Sequence, residues 1–185
     1  MKKIMFAMSM LLLITGTALA QEPSANRQNP ESAAVHGLFT LTNEIGSNFR
    51  GGDNFLFTYN YVITPGMRFR NDMTLSLPIS GGINGVQIES QYYGAFSFTP
   101  NIKIGLKLGY DFMFEDNSVM SIGATFGGTV FAIDYKSLYY DINIAFGDSG
   151  YGSNQIYGFG VRYYQGLGDS KNYFCLYASF GIRIK

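Results

Sequence analysis

Beyond residue 35 the chain alternates apolar and polar residues with a period of two, the pattern of strands whose two faces meet different surroundings. Phe39, Leu41 and Ile45 alternate with Thr40, Thr42 and Glu44. Phe55, Phe57, Tyr59, Tyr61, Ile63, Pro65, Met67 and Phe69 then hold one phase, and Thr58, Asn60, Thr64, Gly66, Arg68 and Arg70 hold the other. That run exceeds the ~5 to 6 residues usual in globular sheets and suits the ~9 to 11 of a tilted membrane strand with an extension. The same alternation predicts strands at 73–80, 86–98, 102–112, 120–127, 138–146, 157–163 and 174–184.

Turn-forming residues separate these segments. The stretches 70–72, 99–101 and 168–172 are compact, whereas 47–54 and 147–154 are longer and rich in Gly. Short turns at one end and longer loops at the other match membrane barrels. The segments number nine, yet bacterial single-chain barrels have even strand numbers. The surplus is placed in 118–146, where the turn at 134–137 lacks Gly and Pro and the even-numbered phase runs on from Val130 to Phe146. The expected fold is all-β: an up-and-down antiparallel transmembrane β-barrel of eight strands, with ten as the alternative.

The faces favour a membrane over a soluble sheet. The polar face carries Thr, Ser, Asn, Gln and Tyr with scattered charges, and Gly105, Gly109, Gly123, Gly127, Gly158, Gly160 and Gly181 suit a crowded lumen. The apolar face holds aromatics near strand ends, among them Phe98, Tyr110, Phe112 and Tyr157, as an interfacial girdle requires. Charged residues are only 14% of the chain, against about 25% for a water-soluble domain. Past the N-terminus no apolar run approaches the ~18 residues of a helical span.

The N-terminus differs in kind. Lys2 and Lys3, an apolar stretch around residues 10–14 and the closing Ala18-Leu19-Ala20 form a secretory signal peptide over 1–20, with cleavage before Gln21. Residues 21–34, with Pro23 and Pro30, read as a flexible periplasmic arm, and 35–185 as the barrel. Removing Lys2 and Lys3 from the 13 basic residues leaves 11 against 13 acidic, a mature charge of −2. No basic stripe for nucleic acid is present. Cys175 is alone, so the exported domain has no internal disulfide.

In this pattern, over residues 35–185, the chain resembles the small outer-membrane β-barrels of the OmpA and OmpX type. The resemblance implies residence in the outer membrane of a Gram-negative cell, contact with outer-membrane lipids and lipopolysaccharide, and passage through the barrel-insertion machinery. Members of that class usually end in an aromatic residue read by this machinery; here the last aromatic is Phe180 and the chain closes Gly181-Ile182-Arg183-Ile184-Lys185.

Ten charges fall on the inferred lumen face: Glu44, Arg68, Arg70, Glu89, Lys103, Lys107, Asp111, Asp141, Arg162 and Arg183. Mixed signs supply partners for buried charge, so they are read as a paired plug, with an ion path of slight anion preference as the alternative. His36 is the only histidine and has no His-x-Ser companion, so no catalytic constellation and no cofactor site is read. Asp53, Glu115, Asp116 and Asp148 fall in loops, as solvating residues or cation ligands. The functions in view are a structural or surface-interaction barrel, then a small porin-like channel, then a lipid-modifying enzyme or a soluble ligand-binding barrel.

Overall fold

The computed structural model describes residues 35–49, 55–89, 94–115, 118–132, 136–148, 154–168 and 172–184; the side chains of 55–56, 84–98 and 148 are not among those described. The signal peptide at 1–20, the arm at 21–34, Asp53 and Asp116 lie outside the described residues.

Alternation becomes nine strands: β1 (His36–Phe49), β2 (Phe55–Arg68), β3 (Met73–Ser76), β4 (Ile79–Glu89), β5 (Gly94–Met113), β6 (Ser118–Ala132), β7 (Ser137–Asp148), β8 (Gln155–Gly166) and β9 (Tyr173–Ile184). Chain neighbours pair antiparallel, and β9 returns to pair with β1 from Phe39 opposite Ile184 to Phe49 opposite Phe174, so the sheet closes on itself. Two of the nine are pieces of one stave. Both β3 and β4 lie between β2 and β5: Leu75 faces Met67 and Leu108, and Ile79 faces Ile63 and Ile104. The break is at Leu77-Pro78, where proline has no N–H to give the ladder. The wall stays closed there, because the Leu77 amide donates to the Pro65 carbonyl (2.8 Å) and the Gly105 amide to that of Pro78 (2.9 Å). The molecule is therefore an eight-stave, up-and-down transmembrane β-barrel.

The number eight arises elsewhere than expected. Strands β6 and β7 form an ordinary hairpin with Gly128 opposite Leu138, so 118–146 is not the merged stretch. A bulge explains the misleading phase. Lys103 pairs with Thr129 and Ile102 with Phe131, leaving Val130 extra, and Val130 and Phe131 both emerge on the outside. Nor is 99–101 a turn: Pro100 stands within β5, opposite Ile83 of β4.

Connections 69–72, 114–117 and 149–154 lie at the end that carries His36 and Ile184; 50–54, 90–93, 133–136 and 167–172 lie at the other. None is longer than the six residues of 149–154 and 167–172, so the expected division into a short-turn end and a long-loop end is not present. In the 69–72 turn Asp72 takes a positive φ of 63°, and its carboxylate pairs with Arg68.

Side chains then sort by parity. The outer face is apolar, and residues such as Leu106 (51% exposed), Phe126, Ile142, Phe159 and Leu176 stand open around the ring. Water rarely faces so continuous an apolar surface, whereas bilayer hydrocarbon does. Phe126, Tyr140, Tyr163 and Phe174 stand side by side across β6 to β9, their ring centroids 5.3, 6.4 and 4.8 Å apart, as an aromatic row on that face. The polar residues fill the inside.

Candidate functional site: the barrel lumen

The lumen is organised around Arg162 of β8. Register sets Asp141 of β7 directly opposite it, and Arg162 Nε donates to Asp141 Oδ2 at 2.9 Å. Glu44 reaches in from β1 and takes both terminal nitrogens, at 2.9 and 3.0 Å. A guanidinium presents two parallel N–H groups that match a carboxylate, which is why arginine suits this position better than lysine. Two aromatic rings meet it as well: Cζ lies over the rings of Tyr139 and Tyr177, 5.3 and 4.6 Å from their centroids. Asp141 is saturated in turn by the Tyr177 hydroxyl (3.0 Å) and Asn143 Nδ2 (2.7 Å).

Groups to either side extend this cluster along the axis. Toward the 167–172 end, Lys103 Nζ donates to Asn60 Oδ1 (2.9 Å) and to the Tyr164 hydroxyl (3.0 Å), and Tyr164 stacks on Tyr173 at 4.3 Å. Toward the end that carries His36 and Ile184, Asp111 accepts from Ser121, its register partner, at 2.5 Å and from Arg183 at 3.2 Å. Arg183 also donates to Ser121 Oγ (2.9 Å), and Arg68 stands 3.9 Å from Asp111 while holding Asp72. Lys107, between the two clusters, donates to Asn143 Oδ1 at 2.8 Å.

Glycine makes this crowding possible. A Cβ at Gly160 would strike the Tyr177 ring, one at Gly127 the Tyr139 ring, and one at Gly123 the Lys107 side chain. These three side chains thus lie over bare backbone on the adjoining strand. Among the described residues the lumen holds a cavity of about 90 Å³, lined by Thr42, Thr64, Thr74, Ser76 and Ser80 and by Lys107 and Arg183. It has space for several water molecules.

Of the ten charges expected inside, Glu44, Lys103, Lys107, Asp111, Asp141, Arg162 and Arg183 meet in the lumen, and Arg68 joins them at its rim. Arg70 does not: the strand ends at Arg68, and Arg70 stands exposed in the turn that follows. The Glu89 side chain is outside the described residues. Asn60, Ser121, Tyr139, Asn143, Tyr164 and Tyr177 carry no charge, yet they hydrogen-bond or cover the ions; the signal in the sequence is their parity with the polar, inward positions of their own strands. His36 is exposed at the first position of β1, and Glu115 is exposed in the 114–117 turn. Among the described residues no three metal-ligating side chains converge. The arrangement places ion pairs of Arg162 with Glu44 and Asp141, and of Arg183 with Asp111, inside the lumen.

Comparison with known proteins adds a fold and no family. No family model and no curated protein matches the chain. Among solved structures it is similar to Neisserial surface protein A, with a TM-score of 0.62 at 16% identity over 82% of this chain and 99% of that one. The β domain of the Bordetella autotransporter BrkA also matches, at 9% identity and a TM-score of 0.29 over 80% of this chain and 99% of that one. The first likeness concerns the eight-stave barrel as a whole.

Proposed function

We propose that this chain is a structural or surface-interaction barrel of the bacterial outer membrane, of the small OmpA and OmpX kind, whose lumen is closed by its own side chains. The observation that carries the reading is Arg162, 6% exposed, paired with Glu44 and Asp141 and lying over the rings of Tyr139 and Tyr177. A buried ion set persists only where every member is partnered, and partners drawn from β1, β7, β8 and β9 occupy the middle of the bore. An interior of eight staves is only just wide enough for side chains to fill.

The apolar outer face supports a bilayer, and the leader at 1–20 with the dispersed hydrophobicity supports export past the inner membrane. On this reading the chain meets outer-membrane lipids and lipopolysaccharide, is delivered by the barrel-insertion machinery, and uses neither a cofactor nor a catalytic site. Membrane fractionation tests the compartment: the protein is expected in outer-membrane fractions with Gln21 as its first residue, and recovery as a soluble periplasmic species would end the reading.

A further inference from the structure

Asn43 breaks the pattern of the outer face. It lies at the middle of β1, opposite Tyr61 of β2 and Phe180 of β9, with Leu41 and Ile45 on either side along the strand. The Tyr59 hydroxyl donates to its Oδ1 at 2.6 Å, but no acceptor among the described residues meets its Nδ2. Farther along the same face, Ser47 Oγ is buried without a partner. Ala178, opposite Ile45, is small and leaves the surface low beside them. The diametrically opposite stave, β6, has no such polar groups at its middle: its outer face there reads Met120, Ile122, Ala124 and Phe126.

Hydrocarbon accepts no hydrogen bond, so an amide donor facing it is costly. A carboxamide carries both a donor and an acceptor with two lone pairs, so Oδ1 can take a second donor besides Tyr59. Two copies related by a two-fold axis therefore satisfy each other: Nδ2 of one Asn43 donates to Oδ1 of the other, and reciprocally. Polar side chains join transmembrane elements in this way, and small neighbours allow the backbones to approach. We propose that the outer face of β1 is a homodimer interface in the bilayer, with Asn43 paired to Asn43 of a second copy at its centre. This rests on the reading that the outer face meets lipid.

The test is energy transfer in phosphatidylcholine vesicles between full-length copies labelled at Glu115→Cys, in a Cys175→Ser background. Transfer above the random level is expected for this protein. Asn43→Leu should weaken dimerisation by roughly three- to thirtyfold, the range of a single interhelical hydrogen bond in a membrane, whereas Asn43→Gln should preserve much of it. Tyr59→Phe, which removes the bond inside one barrel and leaves the carboxamide, should leave dimerisation intact. Oxidation should cross-link Ile45→Cys and not Phe126→Cys on the opposite stave. Random-level transfer from inserted protein, or equal transfer by the Asn43→Leu variant, would overturn the interface while leaving the membrane reading intact. Insertion is read separately, from the boiling-dependent gel mobility of a folded barrel; its failure would overturn the membrane reading and this inference with it.

Discussion

Arg162 holds two carboxylates at once, so its loss differs from the loss of either acid. In Arg162→Ala, Glu44 and Asp141 are left buried without their cation, and removing one member of a buried ion set costs about 3–5 kcal/mol. Urea unfolding in lipid vesicles should show that loss, with Asp141→Asn affected less because Glu44 still pairs with Arg162 and the one remaining amide oxygen can accept from either Arg162 or Tyr177. Glycines are the second sensitive class. A Cβ at Gly160 overlaps the Tyr177 ring, so Gly160→Ala should cost ~1–3 kcal/mol by overpacking, measurable in the same assay. The alternating phase announced that residues 44, 141 and 162 share a face. It did not announce that they share a centre, because three-dimensional convergence depends on which stave lies beside which, and that is set by closure of β9 on β1.

Individual strands tell a similar story of partial legibility. The alternation from Phe57 to Met67 marked β2 without ambiguity, because a strand wet on one side and apolar on the other has only one good phase. Reading failed where the backbone departs from the pleat: Pro78 splits a stave in two, Pro100 imitates a turn inside β5, and the extra Val130 shifts the phase of β6. Proline and bulge positions carry turn-like composition wherever they sit, so local signals alone could not place them. The faces themselves are open to test. Leu106 is on the outer face of β5, and Leu106→Arg should destabilise the inserted barrel by ~2–4 kcal/mol if it lies near the bilayer midplane. The inward neighbour is no milder in kind: a side chain at Gly105 meets the Tyr139 hydroxyl and the Thr125 methyl, so Gly105→Ser should cost ~1–3 kcal/mol. Equal stability of Leu106→Arg and the parent protein in lipid would reverse the assignment of faces.

At the scale of the whole barrel, the question is whether any path runs from end to end. A path from the end that carries His36 and Ile184 would pass the Asp111–Arg183 pair and the cavity beside it, whose hydroxyl-lined wall resembles the beginning of a channel. The path then meets Arg162 with Glu44, Asp141, Tyr139 and Tyr177, and beyond them Lys103, Asn60 and the stacked pair Tyr164 and Tyr173. Opening it would require separating two carboxylates from one guanidinium in a bore where each is buried, and the uncompensated charges would cost several kcal/mol. Planar-bilayer recording of the refolded protein should therefore show no stable open level. Asp111→Ala supplies the discriminating comparison, since it removes an ion partner outside the Arg162 cluster: its unfolding midpoint should fall while its conductance stays at baseline. A steady conductance of porin size in the parent protein would mean that the Arg162 cluster opens in the bilayer, and the small-channel function would then replace the structural one.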